Sequence, residues 1–400
     1  MRRRLLVILL LVGGAAASSG QTPAVTVFEG ARVIVGDGSV IDTATVVVQG
    51  DRVTQVGRSI TAPAGATRVD LKGKTLMPAI IDTHVHTSQT RDALLDDLRR
   101  RPPFGVSAVM SLGQDTGEAA FQLRTERPAG VARIFTAGRG ITAPEPGRTT
   151  APYWVSSVEE GRKAVGELAA QKVDIVKIWV DDRNGQYKKL TPDLYGPIID
   201  EARKRGLRVT AHLFTLDDAK GLLKAGLDAF AHGVRDRDVD DEFMAMVKQR
   251  PNLVLVPNLP DRGVRADLTW LKGSLPDGEL QKLEAGNTDR PDAQATFGIQ
   301  ARNLAKMNAA GVRIAVGTDG NTPWAAHVEM ADMVASGMTP AQVIVAATRN
   351  GAEFLRITDA GTIAAGKSAD FIVLDANPLD DITNTRKIAA VYLRGARIQR

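Results

Sequence analysis

Hydrophobic and polar positions follow two rhythms along this chain. Residues 24–70 alternate in short β-like bursts, Val25-Thr26-Val27-Phe28, Ala31-Arg32-Val33-Ile34-Val35, Thr45-Val46-Val47-Val48 and Val53-Thr54-Gln55-Val56, separated by Gly and Asp turn residues. These predict strands of a small antiparallel unit. The same texture returns in Asp370-Phe371-Ile372-Val373-Leu374 and Ala389-Ala390-Val391-Tyr392-Leu393, so the two termini are expected to pair into one β-sandwich. Over 80–355 the pattern becomes a short apolar strand, a turn and a longer amphipathic helix, the mark of βα units and a parallel sheet. Eight candidate strands are counted, one ending near His84 and the others at 107–112, 132–136, 173–180, 208–212, 229–232, 253–257 and 313–318. Eight such units predict an α/β fold of the (β/α)8 TIM-barrel class, with its chemistry at the C-terminal ends of the strands. The expected division is a leader at 1–20, sandwich halves at 21–78 and 358–400, and the barrel at 79–357.

The leader departs from both rhythms. Met1-Arg2-Arg3-Arg4 runs into Leu5-Leu6-Val7-Ile8-Leu9-Leu10-Leu11-Val12 and then into small residues up to Gly20, the pattern of a secretory signal peptide cut near Ala17 or a few residues later. Its apolar core is far shorter than the roughly 20 residues that span a bilayer. The expectation is therefore export, to the periplasm or beyond, with no membrane partner after cleavage. The sequence holds no cysteine, which excludes a disulfide and a lipid-anchoring thiol. Arg2, Arg3 and Arg4 would leave with the leader, lowering the formal charge from +5 to +2. No basic stripe interleaved with aromatics remains, so no nucleic-acid partner is expected.

Candidate chemistry begins at Asp82-Thr83-His84-Val85-His86. On a strand, residues two apart share a face, so His84 and His86 can grip one metal ion. Four of the five histidines, His84, His86, His212 and His232, fall at the ends of predicted strands one, five and six. Each alone reads as well as a satisfied polar residue; the set does not. Strand eight ends in Gly317-Thr318-Asp319-Gly320, a simple turn in isolation, but at a barrel mouth Asp319 is placed to bind metal and shuttle a proton. Lys177 sits within Val173-Asp174-Ile175-Val176-Lys177-Ile178-Trp179, where a buried ammonium is costly. Either its stem is buried and the ammonium reaches solvent, or burial frees a neutral amine that takes up carbon dioxide and bridges two metal ions. The histidines favour the bridge.

Together with Pro78-Ala79-Ile80-Ile81 and the tail Gly361-Thr362-Ile363-Ala364-Ala365-Gly366-Lys367-Ser368-Ala369-Asp370, these motifs resemble the amidohydrolase superfamily. The branch is that of imidazolonepropionase and the metal-dependent Xaa-Pro dipeptidases (prolidases) and carboxypeptidases. The resemblance implies two divalent ions, zinc first, with His84, His86 and Asp319 on the more buried ion and His212 and His232 on the more exposed one. It further implies that Lys177, as N6-carboxylysine, bridges them and that Asp319 takes the proton of a metal-bridging hydroxide. Trp179, Arg183, Tyr187 and Arg235 follow metal-bearing strand ends and could face a small-molecule substrate, with Arg183 or Arg235 clamping a carboxylate. His327 lies just beyond Asp319 and is read as a bracing or helix-capping residue rather than a ligand, with a substrate contact as the second reading.

The implied activity is that of an exported metal-dependent hydrolase acting on an amide bond in a dipeptide, an N-acyl amino acid or a cyclic amide. An esterase, lactonase or organophosphate hydrolase on the same binuclear site is the enzymatic alternative. A non-catalytic scaffold is disfavoured, because it would need none of the six ligands. Homo-oligomerisation is an expectation of the resemblance alone.

Overall fold

The computed structural model describes residues 24–399, and the predicted leader over 1–20 lies outside them. Both ends of the chain meet in one eight-stranded sheet, ordered Ala396–Arg397, Ile388–Leu393, Phe371–Leu374, Thr75–Pro78, Val25–Ile34, Val40–Gln49 and Arg52–Gly57, with Thr67–Asp70 also paired to Val25–Ile34. Phe28, Phe371 and Tyr392 pack ring against ring at 4.9–5.1 Å, locking an N-terminal strand to two C-terminal ones. The sheet is mixed, which corrects the antiparallel expectation. Val25–Ile34 runs parallel to Thr67–Asp70 and Thr75–Pro78, because the 58–66 loop carries the chain across before it re-enters the sheet.

The apolar run Leu76-Met77-Pro78-Ala79-Ile80-Ile81, one strand by hydropathy, serves two sheets. Thr75–Pro78 pairs antiparallel with Phe371–Leu374, and Ala79 N–H donates to the Asp370 carbonyl at 3.0 Å. Ile80–Val85 then opens a parallel array. That array comprises Ile80–Val85, Val106–Ser111 and Arg133–Thr136 as one sheet, and Val176–Trp179, Val209–His212, Ala229–Ala231, Val254–Val256 and Arg313–Ile314 within another. All eight predicted strands occur, several shorter than read. Two further short strands, Ile141–Thr142 and Tyr153–Trp154, extend the second sheet.

Helices cover the array as the periodicity predicts. Val158–Ala170 starts at a Ser157/Glu160 capping box, and Leu216–Ala225 and Asp241–Lys248 start at Thr215 and Asp240, whose side chains accept from the third helical N–H. Strands as fully buried as these must carry any polar side chain for a reason. The eighth segment continues past Ile314 alongside the first strand: Thr83 N–H donates to the Val316 carbonyl at 2.8 Å, Thr318 N–H to the His84 carbonyl at 3.0 Å, and His86 N–H to the Gly320 carbonyl at 3.2 Å. A side chain at Gly317 would sit 2.4 Å from Val256 Cγ1 and 2.8 Å from His84 Cβ, so glycine is what permits this close approach.

Candidate metal centre

The strand ends bring His84, His86, Lys177, His212, His232 and Asp319 into one polar cluster inside an apolar core. His84, Lys177 and His232 are buried to 2% exposure or less. Neighbouring imidazole rings lie 5.3 Å (His84–His86), 5.3 Å (His84–His232) and 4.5 Å (His212–His232) apart. Asp319 closes the group: its Oδ1 is 3.0 Å from both His84 Nε2 and His86 Nε2, and its Oδ2 is 3.6 Å from His232 Nε2. Three residues that end or follow strands, His232, Asn258 and Asp319, have positive φ (136°, 43° and 53°), local strain of the kind held where a side chain must be aimed.

Two of the imidazoles, His84 and His212, are oriented from outside. His84 Nδ1 lies 2.8 Å from Asn258 Oδ1, which fixes the proton on Nδ1 and leaves the Nε2 lone pair facing Asp319. His212 Nε2 lies 3.0 Å from Asp181 Oδ2, so Nδ1 is its remaining nitrogen for a ligand. Arg183 holds Asp181 in turn, with Nη1 donating to Asp181 Oδ2 at 2.6 Å and Nε to Glu145 Oε1 at 3.0 Å. Beneath the cluster Asp82 accepts from Thr318 Oγ1 at 2.7 Å and from the backbone N–H groups of Thr318 and His84 at 3.2 and 3.3 Å.

Burial sets the protonation states. It lowers His84 to about 4 and His212 to about 3, with the Lys177 charge adding to both, and it pushes His232 well down in the same direction. Burial also brings the Lys177 ammonium down to about 7, against the pull of Asp319 and assisted by Arg183. At Asp319 burial opposes ionisation, but His84, His86 and His232 outweigh it and hold the carboxyl well below the usual range. At neutral pH, neutral His84, His212 and His232 then stand around a carboxylate, beside a lysine that is partly neutral.

The residues fit a divalent cation. His84, His232 and Asp319 offer ligand atoms within 4.8 Å of one another. His84 Nε2, His86 Nδ1, Lys177 Nζ and both nitrogens of His232 are buried without a hydrogen-bond partner. With its proton on Nδ1, His84 Nε2 is a lone pair 3.0 Å from a carboxylate oxygen, an arrangement that calls for a positive charge between them. Lys177 does not reach solvent: it is 0% exposed and its Nζ lies 5.3 Å from the Trp179 ring centroid, which removes the surface-reaching reading of this side chain.

The residues expected to face substrate separate. Trp179 is buried over Lys177, where Gly140 makes room: a Cβ there would lie 1.9 Å from the indole. Arg183 is committed to Asp181 and Glu145, so it braces His212. Tyr187 donates its hydroxyl to the Pro146 carbonyl at 3.1 Å. Arg235 lies over the Phe214 ring at 3.2 Å, and Phe214 packs on His212 and His232. His327 is not a substrate contact: it is 1% exposed, and its nitrogens meet Thr385 Oγ1 at 3.0 Å and the Phe104 carbonyl at 2.9 Å, pinning its helix to neighbouring segments. The sequence reading missed Asn258 and Asp181. Their only signal was a polar residue one to two positions beyond a strand end.

Residues 75–398 match the amidohydrolase family. The chain is 25% identical to the imidazolonepropionase of Deinococcus radiodurans over 388 residues, covering 91% of this chain and 94% of that protein. It is 26% identical to the imidazolonepropionase of Streptomyces coelicolor, covering 88% and 92%. Among solved structures, a candidate prolidase from Bifidobacterium longum superimposes with a TM-score of 0.77 at 28% identity, covering 95% of this chain and 96% of that one. A Xaa-Pro dipeptidase with bound methionine in its active site gives 0.74 at 23% identity, covering 94% and 100%, a likeness of fold.

Proposed function

The chain belongs to the amidohydrolase family, and from that premise we propose that it is an exported, metal-dependent hydrolase that cleaves an amide bond in a dipeptide, an N-acyl amino acid or a cyclic amide. The observation that carries this reading is the set of unpartnered buried donors around Asp319, at His84, His86, His232 and Lys177. Relatives bearing the names imidazolonepropionase and Xaa-Pro dipeptidase support a carbon–nitrogen target. The leader-like start, Met1 to Gly20, supports export. Hydrogen bonds between 83–86 and 316–320 support reading the parallel strands as one closed (β/α)8 barrel, capped by the sheet of both termini.

In this proposal His84, His86 and Asp319 would hold one ion and His212 and His232 a second, with carboxylated Lys177 as a ligand common to both. Zinc suits a set of imidazoles and carboxylates. When bound, such ions polarise the substrate carbonyl and bring the pKa of a coordinated water to about 7.

The chain's own groups supply the rest. Asn258 and Asp181 keep His84 and His212 in the tautomers that expose one lone pair each. Lys177 Nζ, lowered to about 7, is neutral often enough to attack carbon dioxide, forming an N–C bond and releasing one proton to leave an anionic carbamate in the buried site. Asp319, kept ionised, accepts a proton from the attacking water on Oδ2 and returns it to the departing nitrogen. Trp179 excludes water from Lys177.

The test is metal content per chain together with hydrolysis of a panel of dipeptides, N-acyl amino acids and matching esters and lactones. Close to two ions and amide cleavage lost on His84→Ala are expected. Turnover of esters or lactones alone would overturn the amidase reading.

A further inference from the structure

The largest fully buried side chain among the described residues is a charged one, Arg101, at 1% exposure. It precedes the short turn Pro102–Phe104 that leads into the second strand. That turn is held on two sides: the Arg101 carbonyl accepts from Phe104 N–H at 3.0 Å, and the Phe104 carbonyl meets His327 Nε2 at 2.9 Å. The guanidinium therefore reaches inward from a fixed base.

There it meets the two ends of one turn. Nη2 donates to Asn321 Oδ1 at 2.9 Å, and Nη1 lies 3.8 Å from Asp82 Oδ2. Asp82 in turn accepts from the Thr318 hydroxyl at 2.7 Å and from Thr318 N–H at 3.2 Å. Between Thr318 and Asn321 stands Asp319, at φ 53°, in the left-handed region that a residue other than glycine keeps only under constraint. Holding Arg101 in this place is costly. Its side chain and that of Asp82 are each 1% exposed, their charges are farther apart than a hydrogen bond, and Arg101 Nε and Nη1 are buried without a hydrogen-bond partner. A buried ion pair of that geometry does not recover the desolvation of its charges, so stability alone does not account for it. What a guanidinium offers, and an ammonium or an apolar side chain does not, is a rigid planar fork that sets the separation of two acceptors.

We propose that Arg101 is a positioning residue for Asp319. Its fork fixes Asn321 directly and Thr318 through Asp82, and so holds the turn that aims the Asp319 carboxylate at His84, His86 and His232. The consequence for metal binding rests on the metal-dependent reading above, whereas the clamp on the turn is a property of the chain alone.

Two measurements test it, neither of which needs turnover. Hydrogen exchange over 316–322 in chelator-treated protein reads the turn itself, through the Thr318 and Asp319 amides that donate to the His84 carbonyl at 3.0 and 2.8 Å. Arg101→Met should speed exchange there by about tenfold or more, the size of one hydrogen bond to a charged group. Arg101→Lys, charged but without the fork, should speed it nearly as much. Asn321→Ala, at an exposed position, should speed it several-fold and decides the matter alone if Arg101→Met does not fold. Phe28→Leu, a lesion in the sheet of both termini, should lower the urea midpoint without singling out 316–322. The second measurement is zinc affinity by competition with a chromogenic chelator. Arg101→Met should weaken it by about 10- to 100-fold in the wild-type chain. Added to Asp319→Ala it should cost less than about twofold more, because the aim of a missing carboxylate cannot be lost. Exchange over 316–322 unchanged in Arg101→Met and Asn321→Ala, full rescue by Arg101→Lys, or a zinc effect undiminished in Asp319→Ala would overturn the proposal. Faster exchange in a protein whose wild type binds no zinc would leave the clamp standing and remove the metal-dependent reading instead.

Discussion

His84 is tied through Nδ1 to Asn258 Oδ1 at 2.8 Å, and that single bond decides which nitrogen the most buried histidine turns toward Asp319. With Nδ1 donating, Nε2 is an acceptor facing a second acceptor, Asp319 Oδ1, at 3.0 Å. The pair is stable only with a proton or a cation between them, and burial lowers His84 to about 4, which leaves the cation as the neutral-pH solution.

Asn258→Leu should therefore weaken metal binding by about 10- to 100-fold, the usual effect of losing an outer partner of a metal-bound histidine. Asn258→Asp, which still accepts from Nδ1–H, should retain affinity. Competition with a chromogenic chelator measures both, and equal affinity in wild type and Asn258→Leu would show that the ring is held by packing alone.

Lys177→Ala should remove the second ion. Its Nζ is buried, without a partner, and lowered to about 7, so at pH 8 with bicarbonate most chains carry a neutral amine ready to react. Metal analysis should give close to two ions per wild-type chain and one or none in the variant. An unchanged stoichiometry would make Lys177 a structural residue.

Much of this centre was readable because strands impose a period of two and barrels put chemistry at strand ends. His84, His86, His212, His232 and Asp319 sit at or beyond the ends of their strands, while Lys177 lies inside Val176–Trp179, where its burial marked it. Asn258 was not readable: Pro257-Asn258 looks like any turn, and its role exists only because Gly317 lets the eighth segment press against His84 from 233 residues away in sequence. Arg183 was ambiguous for a related reason, whereas His327, read as a bracing or capping residue rather than a ligand, does brace its helix. A charged or ring side chain near a site can point into it or brace it, and only the positions of Glu145, Asp181, Phe104 and Thr385 decide which. The split of Leu76 to Ile81 between two sheets was invisible too, since hydropathy records burial and not the identity of the neighbour.

Stripped of metal, the protein should lose the stability that its neutral buried histidines contribute as pH falls from 6.5. His84 and His212 have ordinary values of 6.5 and folded values of about 4 and about 3. Through that window the unfolded chain binds protons that the folded chain refuses, so acid favours unfolding, by up to about 1.4 kcal/mol per pH unit for each histidine. Lys177 contributes with the same sign at higher pH, between 10.5 and about 7. Burial raises Asp82 to about 6 and Asp332 to about 7, and these carboxyls act with the opposite sign in the same window, so the histidine contribution is read as a difference: between pH 7 and pH 4.5 the urea midpoint of the chelator-treated wild type should lose more, or gain less, than that of His212→Gln. The same pH slope in wild type and His212→Gln would mean that this ring is not shut off from water.

Gly140→Ala should damage the centre without touching a ligand. The Trp179 indole lies in a slot between Gly113 and Gly140, where added Cβ atoms would come within 2.4 and 1.9 Å of it, and from that slot it covers Lys177 Nζ at 5.3 Å. Overpacking of this kind destabilises by about 1–3 kcal/mol. The ring must move, water then reaches Lys177, and the ammonium recovers toward its ordinary value, so less neutral amine is present at pH 7. Two readings follow: a lower urea midpoint, and a higher bicarbonate concentration for half-maximal metal loading. Trp179→Ala in the same chain should relieve the clash, making the double variant more stable than the sum of the single effects, while leaving the bicarbonate requirement high because the cover is still missing. If Gly140→Ala lowered the urea midpoint but left the bicarbonate dependence unchanged, Trp179 would be a packing residue and the low value of Lys177 would have to come from the strands alone.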